Sequence, residues 1–217
     1  MHIPDGFLPP AIALGGYAGT GGLLWFCLRQ IRYRPTAAAH LPKAALLTAA
    51  FFVVSLIHIP LPPLSIHLVL NGLMGIVLGY TAVPAIVVGL FFQAVMFSHG
   101  GLTSLGVNAL MMGLPALLAY GIVQRGAPGA PTGWAQRGLT FVAGSLALLV
   151  SAILFVGLAL STLTPDLDLA LEQRAIAIAF LGYGIQALIE GGLTMMAIDF
   201  LYRVRPEILD LHRRYSR

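Results

Sequence analysis

The sequence predicts an all-α membrane protein with about seven transmembrane helices. Its composition points to this fold class, because 58% of the 217 residues are hydrophobic and only 9% are charged. So few charges cannot cover the surface of a water-soluble domain. Apolar stretches of about 18 residues or more are long enough to cross a bilayer, and the chain contains several of them.

Seven apolar segments, bounded by proline, glycine and charged residues, account for nearly the whole chain. They run over residues 10–28, 41–57, 68–80, 83–97, 105–123, 139–163 and 175–202. The third and fourth can be read as one bent span, but Pro84 and the charge distribution favour two. We expect a single membrane domain over residues 1–217, with an N-terminal loop at 1–9, a helical bundle at 10–204 and a cytoplasmic tail at 205–217.

Basic residues in short loops mark the cytoplasmic side of a membrane protein. With seven spans, eleven of the twelve lysines and arginines fall on one side, and Arg174 is the exception. These eleven are Arg29, Arg32, Arg34, Lys43, Arg125, Arg137, Arg203, Arg205, Arg213, Arg214 and Arg217. The N-terminus is then expected outside the cell membrane and the C-terminus in the cytoplasm, whereas six spans would divide the charges between both sides. Because these residues flank membrane segments, the net charge of +4 does not indicate nucleic-acid binding.

The same topology collects histidines and carboxylates on the outer face, which carries almost no lysine or arginine. The predicted outer residues are His2, His58, His67, His99, Asp5, Asp166, Asp168 and Glu172. His40 and His212 fall on the inner side. An outer face of this composition suits a cation.

The N-terminus is the strongest candidate for a binding site. Unlike a secretory signal peptide, the chain has no basic residue ahead of its first span, so we expect Met1 to be the mature terminus. The amine of Met1 and the amide and imidazole of His2 close small chelate rings around one metal ion. Ni(II) and Cu(II) favour square-planar nitrogen sites, whereas Zn(II) prefers a tetrahedron. His67 is the first candidate for a fourth nitrogen, followed by His58 and His99.

Prolines and glycines near these histidines predict a fixed site rather than a trailing tail. Pro4 and Gly6 follow closely after the first histidine, and proline restricts the backbone while glycine permits a tight turn. A proline-rich loop separates His58 from His67, and two glycines follow His99. Each histidine taken singly is also compatible with a polar side chain at the membrane interface.

Glu190, Gln93 and Gln186 are polar residues inside predicted spans. Glu190 is either a functional carboxylate, for cation passage or a conformational switch, or a hydrogen-bond partner of Gln186, Asn71 or another helix. Gln93 and Gln186 are interpreted as interhelical hydrogen-bonding residues.

Three spaced blocks of the sequence resemble the CbiM/NikM family, the membrane substrate-binding subunits of energy-coupling-factor (ECF) transporters for cobalt and nickel. The blocks read MHIPDGFL at 1–8, SIHLVLNG at 65–72 and FSHGGLTSLGVN at 97–108. The resemblance covers nearly the whole chain and implies an all-helical fold with one helix more than the six usual in other such subunits.

The resemblance also implies a ligand set, which consists of the Met1 amine, the His2 amide and imidazole, and His67. It implies that further residues of the second and third blocks support the N-terminal loop from outside this set. These supporting residues are Asn71, His99 and Asn108.

As a family property, the resemblance implies capture of Ni²⁺ or Co²⁺ at the outer face for ATP-driven import, with cobalamin biosynthesis as one destination. The implied partners are a transmembrane coupling subunit (T component), ATPase subunits and a small accessory membrane subunit within the lipid bilayer. The chain has no Gly-x-x-x-x-Gly-Lys-Ser/Thr loop, so it is not expected to hydrolyse ATP itself, and the energy is expected to come from partners. As a transport subunit it is not expected to be an enzyme, and no permanently bound cofactor is expected. Ala11, Gly15 and Gly19 recur every fourth residue, a seam that docks the coupling subunit or packs within the bundle.

Two other functions are alternatives. An intramembrane hydrolase would recruit Ser98 or Ser104 with His99, but no nucleophile has a base at a suggestive spacing. A self-sufficient cation channel would conduct without ATPase partners. Between the two metals, the preference for a square-planar nitrogen site favours nickel, whereas the family that the chain resembles includes cobalt and nickel transporters.

Overall fold

The computed structural model describes residues 2–33, 41–61, 64–126, 133–162 and 169–209. Within these residues the chain forms seven α-helices, one antiparallel β-hairpin and two short 3-10 turns. The helices are α1 (Pro10–Arg32), α2 (Leu41–Val54), α3 (Asn71–Leu78), α4 (Ala82–Phe97), α5 (Leu105–Gly126), α6 (Trp134–Ser161) and α7 (Leu169–Val204). The hairpin consists of β1 (His58–Leu61) and β2 (Leu64–His67), and the turns are Gly79–Thr81 and Pro206–Ile208.

Five stretches of the described chain are long and apolar enough to cross a membrane. They are α1, α5, α6, the Ile178–Val204 part of α7, and Asn71–Phe97, which contains both α3 and α4. Helix α2 is also apolar but has only 14 residues. The predicted class, a helical membrane protein, therefore agrees with the structure. The number of seven spans and the side on which each terminus lies stay predictions.

Helices α3 and α4 turn back on each other rather than forming one straight span. His67 precedes α3 and His99 follows α4, and the centroids of their rings lie 5.7 Å apart. A straight helix over the 27 residues Asn71–Phe97 would separate its ends by about 40 Å. The chain reverses in the turn Gly79–Thr81, where Gly79 has a φ of 58°, a conformation that glycine adopts readily. The turn lies where the sequence predicted two segments instead of one.

The β-hairpin before α3 is a departure from the predicted all-α fold. The sequence suggested a stiff proline-rich loop between His58 and His67, but these two residues pair with each other across two strands of four residues. Extended backbone is favoured here because a residue before a proline avoids the helical conformation, and because Ile59 and Ile66 are β-branched. As a result, His67 ends β2 and leads directly towards α3.

Helix α1 packs against α5 through a close backbone contact. A Cβ atom at Gly16 would lie 2.7 Å from the backbone nitrogen of Val107, so only glycine fits there. One turn further on, the hydroxyl of Thr20 donates a hydrogen bond of 2.6 Å to the backbone oxygen of Gly106. This contact places the first turns of α5 beside the N-terminal segment.

The predicted seam of small residues is mostly not part of this contact. Ala11 and Gly15 are exposed, and a Cβ at Gly15 would meet no atom within 4 Å. Only Gly19 approaches α5, where an added Cβ would lie 2.8 Å from the side chain of Leu110. The outer face of α1 is therefore open in the isolated subunit.

Described basic residues gather at the end of the bundle opposite the hairpin. Lys43, at the start of α2, donates a hydrogen bond of 3.0 Å to the backbone oxygen of Val77 near the end of α3. Arg137 in α6 and Arg203 in α7 both pair with Asp199, at N–O distances of 3.1 and 2.8 Å. The ends of four helices therefore meet on this side, while the hairpin and the start of α1 lie on the other.

Candidate metal centre

Three histidines from distant parts of the sequence lie together at the hairpin end of the bundle. One ring nitrogen each of His2, His67 and His99 lies within 4.8 Å of the other two. The centroid of the His2 ring lies 5.1 Å from that of the His67 ring and 4.2 Å from that of the His99 ring. His2 Nδ1 and His99 Nε2 approach to 3.1 Å. Imidazole nitrogens are ligands that suit nickel, copper, zinc and iron, so this arrangement can hold a transition-metal ion.

Two of the three histidines lie at or beside the end of a secondary-structure element, which limits their freedom. His2 lies in the segment ahead of α1, His67 ends β2, and His99 follows α4. Between α4 and His99, Ser98 adopts a left-handed conformation with a φ of 50°, which turns the chain sharply. The backbone nitrogen of His99 then donates to the backbone oxygen of Gln93, at 3.1 Å.

The N-terminal segment is anchored to α5 by the residue after His2. The backbone nitrogen of Ile3 donates to Oδ1 of Asn108 at 2.9 Å, and the Nδ2 of Asn108 donates to the backbone oxygen of Ile3 at 3.0 Å. The hydroxyl of Ser104 donates to the same oxygen. The Ile3 side chain is 1% exposed and packs with Val107 and Met111. The backbone beside His2 is therefore held in place by buried contacts.

Asp5 provides a second anchor on the outside of the segment. Its carboxylate accepts hydrogen bonds from the backbone nitrogen of Thr103 at 2.7 Å, from the Thr103 hydroxyl at 2.6 Å and from the backbone nitrogen of Leu102 at 3.2 Å. The hydrogen bonds from Thr103 hold the pKa of Asp5 below its usual value. Asp5 therefore fixes the loop and is not among the clustered histidines, although the sequence grouped it with the outer cation-binding residues.

Helix α7 holds the other side of the centre. Nε2 of Gln186 donates to the backbone oxygen of His67 at 2.5 Å. The buried carboxylate of Glu190 accepts hydrogen bonds from the backbone nitrogens of Val69 and Leu70, the latter at 3.0 Å. Leu70 has a φ of 53°, a left-handed conformation that is unusual for leucine and is held by these contacts. Two roles were considered for Glu190, a functional carboxylate and a hydrogen-bond partner. The structure shows Glu190 as a hydrogen-bond partner of the backbone before α3.

Asn71, to which the resemblance gives a supporting role, forms a side-chain hydrogen bond with helix α6. Its side chain is fully buried, and its Nδ2 donates to the Ser151 hydroxyl on α6 at 2.7 Å. The Ser151 hydroxyl in turn donates to the backbone oxygen of Met111 on α5 at 2.8 Å. Among the described residues, Asn71 thus joins α3 to α6 rather than contacting the loop of His2.

The electrostatic environment keeps His2 neutral. Burial lowers the pKa of His2 well below its usual range, and the positive N-terminus, His67 and His99 lower it further. An interaction with the side chain of Gln93 acts in the opposite direction. Since a metal ion binds the neutral imidazole, His2 is held in the protonation state that coordination requires.

Several residues that the sequence placed on the outer face lie outside the described part of the chain. They are Met1, Asp166 and Asp168, together with the side chains of His58 and Glu172. The backbone register places His58 opposite His67 in the hairpin.

The structure adds anchoring residues that the sequence analysis did not single out for this role. Ile3, Thr103 and Gln186 hold the loops around the histidines. Ile3 and Thr103 lie in blocks of distinctive sequence, whereas Gln186 does not. The hydroxyl of Ser104, considered above as a nucleophile, donates a hydrogen bond to the backbone oxygen of Ile3. This hydroxyl is therefore engaged with the backbone of the N-terminal segment.

Comparison with known proteins gives a consistent result. A family model described as "Cobalt uptake substrate-specific transmembrane region", CbiM, matches residues 2–208. The chain is 35% identical over 163 residues to the fused nickel transport protein NikMN of Rhodobacter capsulatus, covering 71% of this chain and 47% of that protein. It is 29% identical over 216 residues to the cobalt transport protein CbiM of Sorangium cellulosum, covering 97% and 95%.

A solved structure has the same fold. The crystal structure of a transition metal transporter superposes with a TM-score of 0.74 at 22% identity, covering 94% of this chain and 93% of that one. The chain spans about half the length of several curated relatives that it matches, for example 56% and 47%.

The fold and the histidine cluster define a helical membrane protein with a candidate transition-metal site. More specifically, the chain belongs to the CbiM family, as the match over residues 2–208 shows. The resemblance drawn from the three sequence blocks is therefore confirmed.

Proposed function

We propose that the N-terminus of this chain captures Ni²⁺ or Co²⁺ for import. The ligands are the amine of Met1, the amide nitrogen and the imidazole of His2, and a ring nitrogen of His67. The first three donors are linked by short stretches of chain, so they close chelate rings with little further loss of freedom. The observation that supports this site best is the convergence of His2, His67 and His99 to within 4.8 Å.

Anchoring of the N-terminal segment supports the same proposal. Asn108 and Ser104 hold the backbone of Ile3, so the donors beside it are ordered before an ion arrives, and less freedom is lost on binding. His99 contacts His2 Nδ1, so this contact positions the ring before an ion arrives and is given up when the nitrogen binds the ion. In this scheme His99 and Asn108 act around the ligand set, while Asn71 acts only through the packing of α3.

Import requires partners that this chain does not supply. We propose that a transmembrane coupling subunit and ATPase subunits drive release of the ion on the other side of the membrane, as in ECF transporters, with a small accessory membrane subunit. The exposed residues Ala11 and Gly15 offer the coupling subunit a smooth helix face. The imported metal would supply nickel enzymes or, for cobalt, cobalamin biosynthesis.

The direction of import follows from the distribution of charge. The described basic residues, such as Lys43 and Arg137, lie at the end opposite the histidines, and basic ends of membrane helices face the cytoplasm. We therefore propose that the histidine cluster opens to the outside of the plasma membrane and that the C-terminus is cytoplasmic.

Isothermal titration of the purified protein with NiCl₂ and CoCl₂ tests the ligand set. His2→Ala and His67→Ala are expected to abolish measurable binding, because each removes a donor. His40→Ala, predicted on the opposite side, is the matched control and should bind as the wild type does. Unchanged affinity in both His2→Ala and His67→Ala would overturn the proposal.

A further inference from the structure

Gln93 is a buried residue of α4 whose amide is joined on one side to α2. Its side chain is 0% exposed. Its Nε2 donates to the backbone oxygen of Phe52 at 3.3 Å and to the hydroxyl oxygen of Ser55. The Ser55 hydroxyl donates its own proton to the backbone oxygen of Phe51 at 2.6 Å, so its oxygen faces Gln93 as an acceptor.

These contacts determine how the amide of Gln93 is oriented. A backbone carbonyl accepts hydrogen bonds and cannot donate, so the amide nitrogen of Gln93 must face Phe52. Oε1 therefore points away from α2. This oxygen is buried, and within the described residues it has no hydrogen-bond partner, a situation that is rare for buried polar atoms.

The ring of His2 has a complementary atom. Its Nδ1 faces His99, while its Nε2, across the ring, is buried and has no hydrogen-bond partner in the part of the chain that the structure describes. The last turn of α4 lies next to this ring, because the backbone oxygen of Gln93 binds the backbone nitrogen of His99. The side chain of Gln93 also comes close enough to the His2 ring to interact with it.

We propose that Gln93 is a positioning residue that sets the tautomer of His2. Its Oε1 accepts a hydrogen bond from Nε2–H of His2 and thereby leaves Nδ1 without a proton. Nδ1 is the nitrogen that lies in a chelate ring with the His2 amide, so this tautomer is the one the metal site needs. Partners of this kind commonly fix the orientation and tautomer of metal-binding histidines. The inference rests on the proposed function, because it concerns the same site.

The tautomer is measured directly in the metal-free wild-type protein. Long-range ¹H–¹⁵N spectra of protein labelled with ¹⁵N-histidine distinguish Nε2–H from Nδ1–H, and the signals of His2 are identified by their loss in His2→Asn. The expected result is the Nε2–H tautomer. Predominance of the Nδ1–H tautomer in the wild type would overturn the inference, and this measurement does not depend on any Gln93 variant folding.

Titration of Gln93 variants with Ni²⁺ tests the consequence for binding. Gln93→Leu is expected to populate both tautomers and to bind Ni²⁺ about 10- to 100-fold more weakly. Gln93→Glu retains an oxygen acceptor towards His2 and should keep the Nε2–H tautomer, although it loses the donor that faces the backbone oxygen of Phe52. Gln136→Leu, which removes a buried glutamine at the other end of the bundle, is the matched control and should bind as the wild type does.

The outcomes separate this inference from the proposed function. If the wild-type protein fails to bind Ni²⁺ and Co²⁺, the proposed function is wrong. If the wild type binds Ni²⁺ and Gln93→Leu keeps both its affinity and its tautomer, only the role of Gln93 is wrong. Predominance of the Nδ1–H tautomer in Gln93→Glu would also overturn that role.

Discussion

The side chain of Asn108 pairs with both backbone groups of Ile3, accepting from its nitrogen at 2.9 Å and donating to its oxygen at 3.0 Å. This reciprocal pair is buried and immediately follows His2, so it links the start of α5 to the backbone that carries the proposed chelate. The resemblance implied a supporting role for Asn108, and the pair provides a physical basis for it.

Asn108→Ala should weaken metal binding without removing a ligand. The substitution leaves the buried backbone nitrogen of Ile3 without its partner, at about 1–3 kcal/mol, while the Ser104 hydroxyl still donates to the Ile3 oxygen. This cost falls on the docked state of the N-terminal segment. We expect the dissociation constant for Ni²⁺ to rise at least tenfold in isothermal titration, since about 1.4 kcal/mol corresponds to a factor of ten. Thr140→Val, which removes a buried hydroxyl of α6, is the control. A wild-type constant for Asn108→Ala would show that the segment does not need this anchor.

Glu190 should act through hydrogen bonds to the backbone rather than through its charge. Glu190→Gln keeps an oxygen that can accept from Val69 or Leu70, so its Ni²⁺ affinity and its import rate should stay within about threefold of the wild type. Glu190→Leu removes the acceptor and should weaken binding by tenfold or more, because the segment after His67 loses its hold.

Import in reconstituted vesicles separates the two interpretations of Glu190. If the carboxylate served cation passage, Glu190→Gln would bind Ni²⁺ normally but fail to support import. That result would replace the structural role with a transport role.

Asp5 should contribute modestly to the Ni²⁺ affinity, and its contribution to stability should depend on pH. Asp5→Ala removes hydrogen bonds from Thr103 and Leu102 at an exposed position, so we expect Ni²⁺ affinity to fall about 2- to 10-fold, in line with weak net hydrogen bonds.

Because the pKa of Asp5 is lowered from 3.8, its stabilising effect is fully present above that value and is lost as the pH falls through the lowered pKa. Comparison of wild type and Asp5→Ala by thermal unfolding from pH 6 downwards measures this. A difference that grew on acidification would contradict the assignment.

Gly16 and Gly15 should behave differently although they are neighbours. Gly16→Leu places atoms against the backbone of Val107 and should prevent stable folding, seen as aggregation in size-exclusion chromatography. Gly15 faces outward and meets no atom within 4 Å, so Gly15→Leu should fold and bind Ni²⁺ normally. If α1 docks the coupling subunit, Gly15→Leu should fail to co-purify with it. Full assembly and import by Gly15→Leu would exclude that face as the docking surface.

Local sequence signals predicted the membrane class, most helices and the two-segment character of residues 68–97. They did not predict the hairpin. Prolines favour extended backbone in the residues that precede them, and extended backbone is compatible with a stiff loop and with a strand. The two differ only in whether the backbone groups pair with each other, which the local sequence does not reveal.

The candidate site was partly predictable from the sequence. His2, His67 and His99 were candidates because histidine is rare in this apolar chain and all three lie at the predicted outer ends of membrane segments. Their supports were less visible, since Gln186 and Gln93 are single polar residues in apolar helices and their partners lie far away in the sequence. Asn71 shows the opposite case, because a residue in a distinctive block turned out to contact α6.

The central claim is that the unmodified start of the chain is itself a ligand. Isothermal titration with NiCl₂ should compare the protein bearing its native N-terminus with a variant carrying one alanine inserted before Met1. The account predicts saturable binding of one ion per chain in the first and no measurable binding in the second, because the inserted residue moves the amine out of its chelate ring. Equal affinity in the two proteins would contradict it.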